Sequence, residues 1–346
     1  MNNRYLPFDI LRIISSYAVI LIHFSGQNMN ESFPSNEWII RSLYDSSAQW
    51  SVPIFVMISG ALFLDSSKTI GINKLYKKYI PRNVFVYCIW SLIYACQDFN
   101  NHHNYKLLWD AIIVGKYHLW FLKMIIGLYI IVPLLKIITT DKNCELYFII
   151  IAIITAFVIP YSVLQIENLS IIIAEYVESI FTSLEIKIAL GYSGYFLMGH
   201  YLKTYSLSSQ TKMVIYIMGG VSFIAVPVLI YYESLINGHP VSTYFDFLNP
   251  FIMIEAISLF VFVTTFTHVL SHTKMVKIIV LLSKYSLGIY LVHILIMGKV
   301  NYLCGMDSSS FNLIIFIPIF SLLVFTLSLL FSMIVSKIPY LRKIMI

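Results

Sequence analysis

Asp9, Arg12 and His23 interrupt an otherwise apolar run, FDILRIISSYAVILIHFS, over residues 8–25. A guanidinium binds phosphate or carbonyl oxygens, a carboxylate can restrain that guanidinium, and an imidazole exchanges protons near neutral pH. Each ionisable group at the centre of a bilayer costs about 2.5–3.5 kcal/mol on insertion scales, so such groups face a protein interior or a watery cavity. His23 follows Arg12 by eleven residues. At about 100° per residue this returns it to within about 20° of the same helical face, some 16 Å further along the axis. Asp9 and Ser16, at i−3 and i+4 from Arg12, fall on the same stripe.

Four other stretches carry polar groups with chemical potential. SLGIYLVHILI, residues 286–296, sets Ser286, Tyr290 and His293 on one face by the i, i+4, i+7 rule, with His293 near mid-membrane. A histidine satisfied by a neighbouring hydroxyl accounts for it as well as a cavity shared with the first helix does. HLWFL, residues 118–122, starts a helix at its outer end with His118 and Trp120, where an interfacial aromatic belt is the simpler reading. In SVPIFVMISGALFL, residues 51–64, Pro53 and the Ser59-Gly60 pair are expected to weaken or kink the helix and to admit another backbone closely, as helix packing requires. KLYKKYIPR, residues 74–82, groups Lys74, Lys77, Lys78 and Arg82. Anchoring at the cytoplasmic surface explains that cluster, and docking of a phosphate-rich ligand is the functional alternative. Glu255 is a further acid within an apolar segment, and its partner is not legible.

The elements that must position these groups are membrane helices. Of the 346 residues 59% are hydrophobic and only 12% charged, with a mean hydropathy of +0.80, which excludes a soluble globular domain. The pattern predicts an all-α, polytopic transmembrane bundle in a single domain spanning residues 1–346. About ten segments are expected, near 8–25, 47–64, 80–97, 117–138, 146–164, 184–202, 212–232, 248–270, 284–303 and 311–336. Most of the 23 lysines and arginines then fall on the side of the N-terminus and most acidic residues on the other, which predicts that both termini are cytoplasmic. The net charge of +6 reports this topology and no nucleic-acid partner. Four scattered cysteines offer no metal-ligand spacing, so no metal site is expected, and the first helix reads as an uncleaved anchor.

Taken in order, FD with Arg-x10-His (Arg12, His23), SVPIFVMISGALFL, the basic run ending IPR, HLWFL and SLGIYLVH resemble the integral-membrane acyltransferase-3 family over nearly the whole chain. The length is similar to its compact subgroup, which includes the enterobacterial common antigen O-acetyltransferase. The resemblance implies a multi-pass enzyme of the bacterial cytoplasmic membrane that moves an acyl group, acetyl by default, from acyl-CoA to a sugar hydroxyl of an envelope glycan or its lipid-linked precursor. No cofactor is implied; acetyl-CoA is a co-substrate, and the other partners are the glycan acceptor and membrane lipids. It assigns catalysis to Arg12 and His23 and maps the serine-glycine motif to Ser59 and Gly60. It maps the donor-binding cluster to Lys74, Lys77, Lys78 and Arg82, with lysines where many relatives carry arginine. On this reading Arg12, with Arg82 and nearby lysines, holds the donor. Asp9 restrains Arg12, while His118, Trp120, Tyr290 and His293 serve the acceptor side or the thioester carbonyl. His23 is either a general base or a nucleophile that carries the acyl group, two mechanisms that remain open. The non-enzymatic alternative is a transporter or flippase for a lipid-linked sugar.

Overall fold

A computed structural model describes residues 5–67, 70–102, 113–167, 171–183, 191–266, 273–304, 312–339 and 341–342. Every regular element among them is helical. In chain order these are α1 (Leu6–Ser25), α2 (Asn36–Ser46), α3 (Ser51–Phe63), α4 (Ile80–His102), α5 (Trp120–Ile138), the continuous run α6 (Lys142–Ala152, Ile153–Val158 and Ile159–Glu167) and α7 (Ile171–Ser183). They are followed by α8 (Gly191–Thr204), α9 (Ser209–Asn237), α10 (Pro250–Phe266), α11 (Thr273–Lys284), α12 (Ser286–Cys304) and α13 (Leu313–Val335). The chain is a polytopic all-helical membrane bundle. Among the described residues, 8 helical units are long and apolar enough to cross a bilayer: α1, α2 with α3, α5, α6, α9, α10, α12 and α13. The other two expected segments coincide with α4 and α8. Residues 184–190, 267–270 and 311 of the expected segments lie outside the described residues.

Two expectations change. Residues 36–46, which fall between the expected segments 8–25 and 47–64, form a helix that runs through a short turn into α3, so that one unit covers Asn36–Phe63. Its helical content was hidden because Arg41, Ser42, Asp45 and Ser46 are polar, yet all four are buried together with Trp38. Pro53 does not kink α3. It sits in the first turn, where the missing N–H is no loss. Proline acts elsewhere: the π-helical stretches Leu75–Tyr79 and Ile153–Val158 lie just ahead of Pro81 and Pro160. There the ring removes a donor and crowds the carbonyl four residues back, which favours a locally wider turn.

α1 is the axis of the bundle, packed against α2, α3, α10, α11, α12 and α13. Its buried Phe8 and Leu11 join a core with α3, α5, α8 and α10, while Ala18, Ile20 and Phe24 pack with α12 and α13. The α3–α8 contact brings two backbones together. A Cβ added to Gly60 would lie 1.8 Å from the Phe196 carbonyl oxygen, and one added to Gly199 would lie 2.0 Å from that of Met57. Each glycine therefore admits the other helix's backbone, as small residues do throughout membrane bundles. A buried hydrogen bond and an ion pair flank this contact. His200 Nδ1 lies 2.8 Å from Glu145 Oε1, both buried, and Lys203 Nζ lies 2.6 Å from Asp65 Oδ2. Partial burial raises the Asp65 carboxyl, but hydrogen bonds from Lys203 and Ser67 outweigh it and hold the group well below the usual carboxylate range.

Gly60→Ala and Gly199→Ala should each lower stability by about 1–3 kcal/mol or more through overpacking, read as a lower melting temperature of the detergent-solubilised protein. Gly127→Ala, whose Cβ would meet nothing within 4 Å, should leave the melting temperature unchanged or slightly raised.

Candidate functional site

The predicted residues gather around two neighbouring cavities. The first, about 280 Å³, is lined by Arg12 of α1, Ser59 of α3, Tyr79, Arg82 and Asn83 at the start of α4, and Tyr129 of α5, with apolar walls from Phe55, Phe121 and Leu287. The second, about 190 Å³, is lined by His23 of α1, His118 and Trp120 at the start of α5, and Ser286 and Tyr290 of α12, with Phe247 and the same Phe55, Phe121 and Leu287. The three shared side chains make an apolar neck between a guanidinium-lined chamber and an imidazole-lined one. The eleven-residue spacing in α1 thus sets one charged and one titratable group on either side of that neck.

The Arg12 end depends on a buried acid. Asp9 is 1% exposed; its Oδ1 accepts from Ser283 Oγ of α11 at 2.6 Å and lies 3.4 Å from Arg12 Nη1. Asp9 lines neither cavity, so its position is that of an anchor behind Arg12. Ser16 shares the stripe but spends its hydroxyl on the Arg12 carbonyl, at 2.7 Å. The serine-glycine motif divides its labour: Ser59 faces the Arg12 chamber and Gly60 faces α8. Lys74, Lys77 and Lys78 are exposed and absent from the chamber wall, which leaves Arg82 as the member of the basic run that lines it.

At the other end three imidazoles converge from three helices. His23 stacks on His293 with ring centroids 5.2 Å apart, and His118 meets His293 at 5.4 Å and His23 at 6.4 Å. His293 donates Nδ1–H to the Tyr290 carbonyl at 2.6 Å, since a carbonyl can only accept. Its buried Nε2 then carries the lone pair and has no partner. His293 is fully buried behind His23 and does not line the cavity itself. Tyr290 donates its hydroxyl to the His118 carbonyl, which ties the His118 turn to α12, and Tyr94 donates to the Leu291 carbonyl at 2.8 Å, which ties α4 to α12. Lys116, two residues before His118, pairs with Asp98 of α4 at 2.9 Å. Trp120 is no free belt residue: it stacks on Phe247 at 5.7 Å and adjoins Tyr192 at 5.6 Å.

Several supporting residues escaped the sequence. Arg41, 3% exposed, pairs with Glu37 at 2.9 Å and donates Nη1 to the Phe24 and Ser25 carbonyls at 3.4 Å. It therefore satisfies the open end of the helix that carries His23, where a cation also suits the helix dipole. Ser283, Tyr79, Asn83 and Tyr129 were likewise missed. A clue existed for Asn83, which directly follows Arg82; Tyr129 and Ser283 reach the site through tertiary packing alone. Among the described residues no group of three or more His, Cys, Asp or Glu has the arrangement to hold a metal ion.

Tyr290→Phe deletes the donor to the His118 carbonyl and should cost about 1 kcal/mol of stability, read as a lower melting temperature in detergent. Tyr87→Phe, which removes the exposed hydrogen bond to the Ile113 carbonyl, should cost less.

The sequence model of the acyltransferase-3 family, described as an acyltransferase domain, matches residues 6–333 of the chain. No curated protein and no solved structure matches it.

Proposed function

Because the chain belongs to the acyltransferase-3 family and is a multi-pass membrane acyltransferase, we propose that it transfers an acetyl group from cytosolic acetyl-CoA to a sugar hydroxyl of a bacterial envelope glycan or its lipid-linked precursor. One observation carries this reading: a guanidinium-lined chamber and an imidazole-lined chamber meet at a shared apolar neck of Phe55, Phe121 and Leu287. The first chamber lies beside the basic run and would face the cytoplasm, where the donor is made. The second is small and would face the acceptor. The chain's length, similar to that of the compact O-acetyltransferase subgroup, supports acetyl as the acyl group.

In the proposed reaction Arg12 and Arg82 bind phosphate or carbonyl oxygens of the donor, with Asp9 and Ser283 fixing Arg12. Ser59, Asn83, Tyr79 and Tyr129 offer it further hydrogen bonds. Lys77 and Lys78 contribute long-range attraction to a polyanion from the surface. The pantetheine arm threads the neck and brings the thioester to His23. An imidazole suits general-base work at neutral pH. His23 takes the proton of the sugar hydroxyl as its oxygen attacks the thioester carbonyl. The tetrahedral adduct collapses, the carbon–sulfur bond breaks, and the proton passes to the departing CoA thiolate. His293, with Nδ1–H engaged, offers a lone pair on Nε2 beside His23 and steadies its ring by stacking. His118, Trp120 and Tyr290 shape the acceptor side. A volume of about 190 Å³ suits a short acyl group.

Membranes holding equal amounts of wild type or His23→Ala, incubated with radiolabelled acetyl-CoA and the host's glycan fraction, test this directly. Label should enter the glycan with the wild type and fall to background with His23→Ala. Equal transfer by both removes His23 from the chemistry, and none by either favours a carrier of lipid-linked sugars. Arg12→Lys, which loses the bidentate fork, should raise KM for acetyl-CoA roughly tenfold with a smaller change in kcat. Leu287→Trp should close the neck, abolishing transfer while retaining CoA binding.

A further inference from the structure

A groove outside both chambers holds an acid that nothing in the proposed reaction uses. It runs between α9 and α10 beside the α2–α3 turn, has a volume of about 620 Å³, and is lined by Tyr216, Gly220, Phe223, Glu255, Phe262 and Phe266 among others. Both carboxyl oxygens of Glu255 are buried and lack a hydrogen-bond partner, and so does the Tyr216 hydroxyl. Glu255 is 5% exposed, whereas the rim residues Phe223, Phe262 and Phe266 are about half exposed, at 47%, 48% and 53%. These rims belong to membrane-spanning helices, so the groove opens sideways into hydrocarbon.

The two glycines of α9 explain why the void exists. A Cβ on Gly219 would lie 2.3 Å from Ser258, so Gly219 lets α9 and α10 touch. A Cβ on Gly220 would meet nothing within 4 Å, so Gly220 leaves the adjoining space open. An unpartnered carboxyl in such a place costs several kcal/mol in hydrocarbon, and water cannot enter from the lipid side to relieve it. The cost is relieved when an occupant supplies hydrogen-bond donors. Among the described residues the lining has no lysine or arginine, so an anionic head would meet only the carboxyl. Within the spanning unit Thr243–Phe266 Glu255 lies twelve residues in, about 18 Å along the axis and near its middle. At that depth only a small uncharged head can reach it.

We propose that this groove is a binding site for a neutral bilayer lipid of the diacylglycerol type. Its head hydroxyl donates to Glu255, and one of its chains lies between α9 and α10 over Phe223 and Phe262. Phe223 also walls a second apolar groove of about 570 Å³ along α9, lined by Trp38, Pro227 and Tyr231 among others, which extends the path available to the chain. The site is separate from the acyl-transfer chambers, and its occupancy is independent of which donor or acceptor they take.

The full-length protein in phosphatidylcholine nanodiscs carrying a photoactivatable, alkyne-tagged diacylglycerol provides the test, with the same-chain phosphatidic acid as the matched anionic probe. After irradiation, labelled peptides are mapped by mass spectrometry. Diacylglycerol should label residues 209–237 and 250–266 about fivefold more than phosphatidic acid, the equivalent of one net hydrogen bond. Glu255→Leu should bring that ratio close to one. Gly220→Leu fills open space without touching the α9–α10 contact and should reduce labelling by both lipids. Equal labelling of the wild type by the two probes overturns the proposal. So does a preference that survives Glu255→Leu, or diacylglycerol labelling undiminished in Gly220→Leu should Glu255→Leu not fold. Acetyl transfer measured on the same nanodiscs reports separately on the proposed function.

Discussion

The structure depends on keeping a guanidinium ionised and correctly placed inside an apolar helix. Arg12 on an isolated α1 would oppose insertion, and the chain answers with a buried counter-charge one turn away. Asp9 alone would be a second liability. It is held by Ser283, which binds α1 to α11 at the point where the pair must be rigid. A pair whose acid is buried and whose guanidinium is partly exposed contributes little net stability, because desolvation offsets much of the attraction, but losing Arg12 strands the buried Asp9. The constraint therefore explains more than Arg12's position. It explains why α1 is surrounded by six helices: only a central helix can shield both the pair and the imidazole eleven residues on.

Shielding α1 requires other helices to approach closely without filling the chambers beside it. Gly60 and Gly199 bring α3 and α8 into backbone contact, which fixes α3 so that Phe55 and Ser59, on its other side, stand at the neck and in the Arg12 chamber. Turns held by side chains do the corresponding work at the His23 end. Tyr290 and Lys116 pin the turn that presents His118, Tyr94 ties α4 to α12, and Arg41 closes the last turn of α1. The groups to which the proposed function gives the reaction sit on helices, and the supporting bonds come from elements distant in sequence, the arrangement that keeps a site from loosening.

What was legible in the sequence follows from which forces act locally. Hydropathy marked α1, α5, α6, α9, α10, α12 and α13, because a spanning helix must satisfy its own backbone and expose apolar side chains. The Arg12–His23 stripe was legible because helical periodicity is fixed, and so was the shared face of Ser286 and Tyr290. α2 was not, since its polar residues pair inward with α1 and with each other, as Arg41 does with Glu37 and Asp45 with Gln49. Periodicity within one helix says nothing of the convergence of His23, His118 and His293, which depends on how α1, α5 and α12 cross. The basic run misled in part: composition grouped three lysines with Arg82, whereas the wider π turn ahead of Pro81 leaves the lysines exposed while Arg82 reaches the chamber wall.

The neck separates a chamber lined by charged groups from one whose lining is mostly apolar, which matters for the chemistry proposed. A thioester presented to an imidazole in open water would be exposed to hydrolysis, and a polyanion drawn into an apolar chamber would bear the full cost of desolvation. In the proposed reaction Phe55, Phe121 and Leu287 separate these problems: charged groups would stay with Arg12 and Arg82, and only a slender uncharged arm would need to pass. On the far side the walls around His23 are mostly apolar, so the few polar groups there act in a low dielectric and direct a proton more strongly than they would in water. In the proposed function a single polar stripe on α1, interrupted by an apolar constriction from three other helices, would be enough to join a cytosolic donor to an acceptor across the bilayer without an open pore.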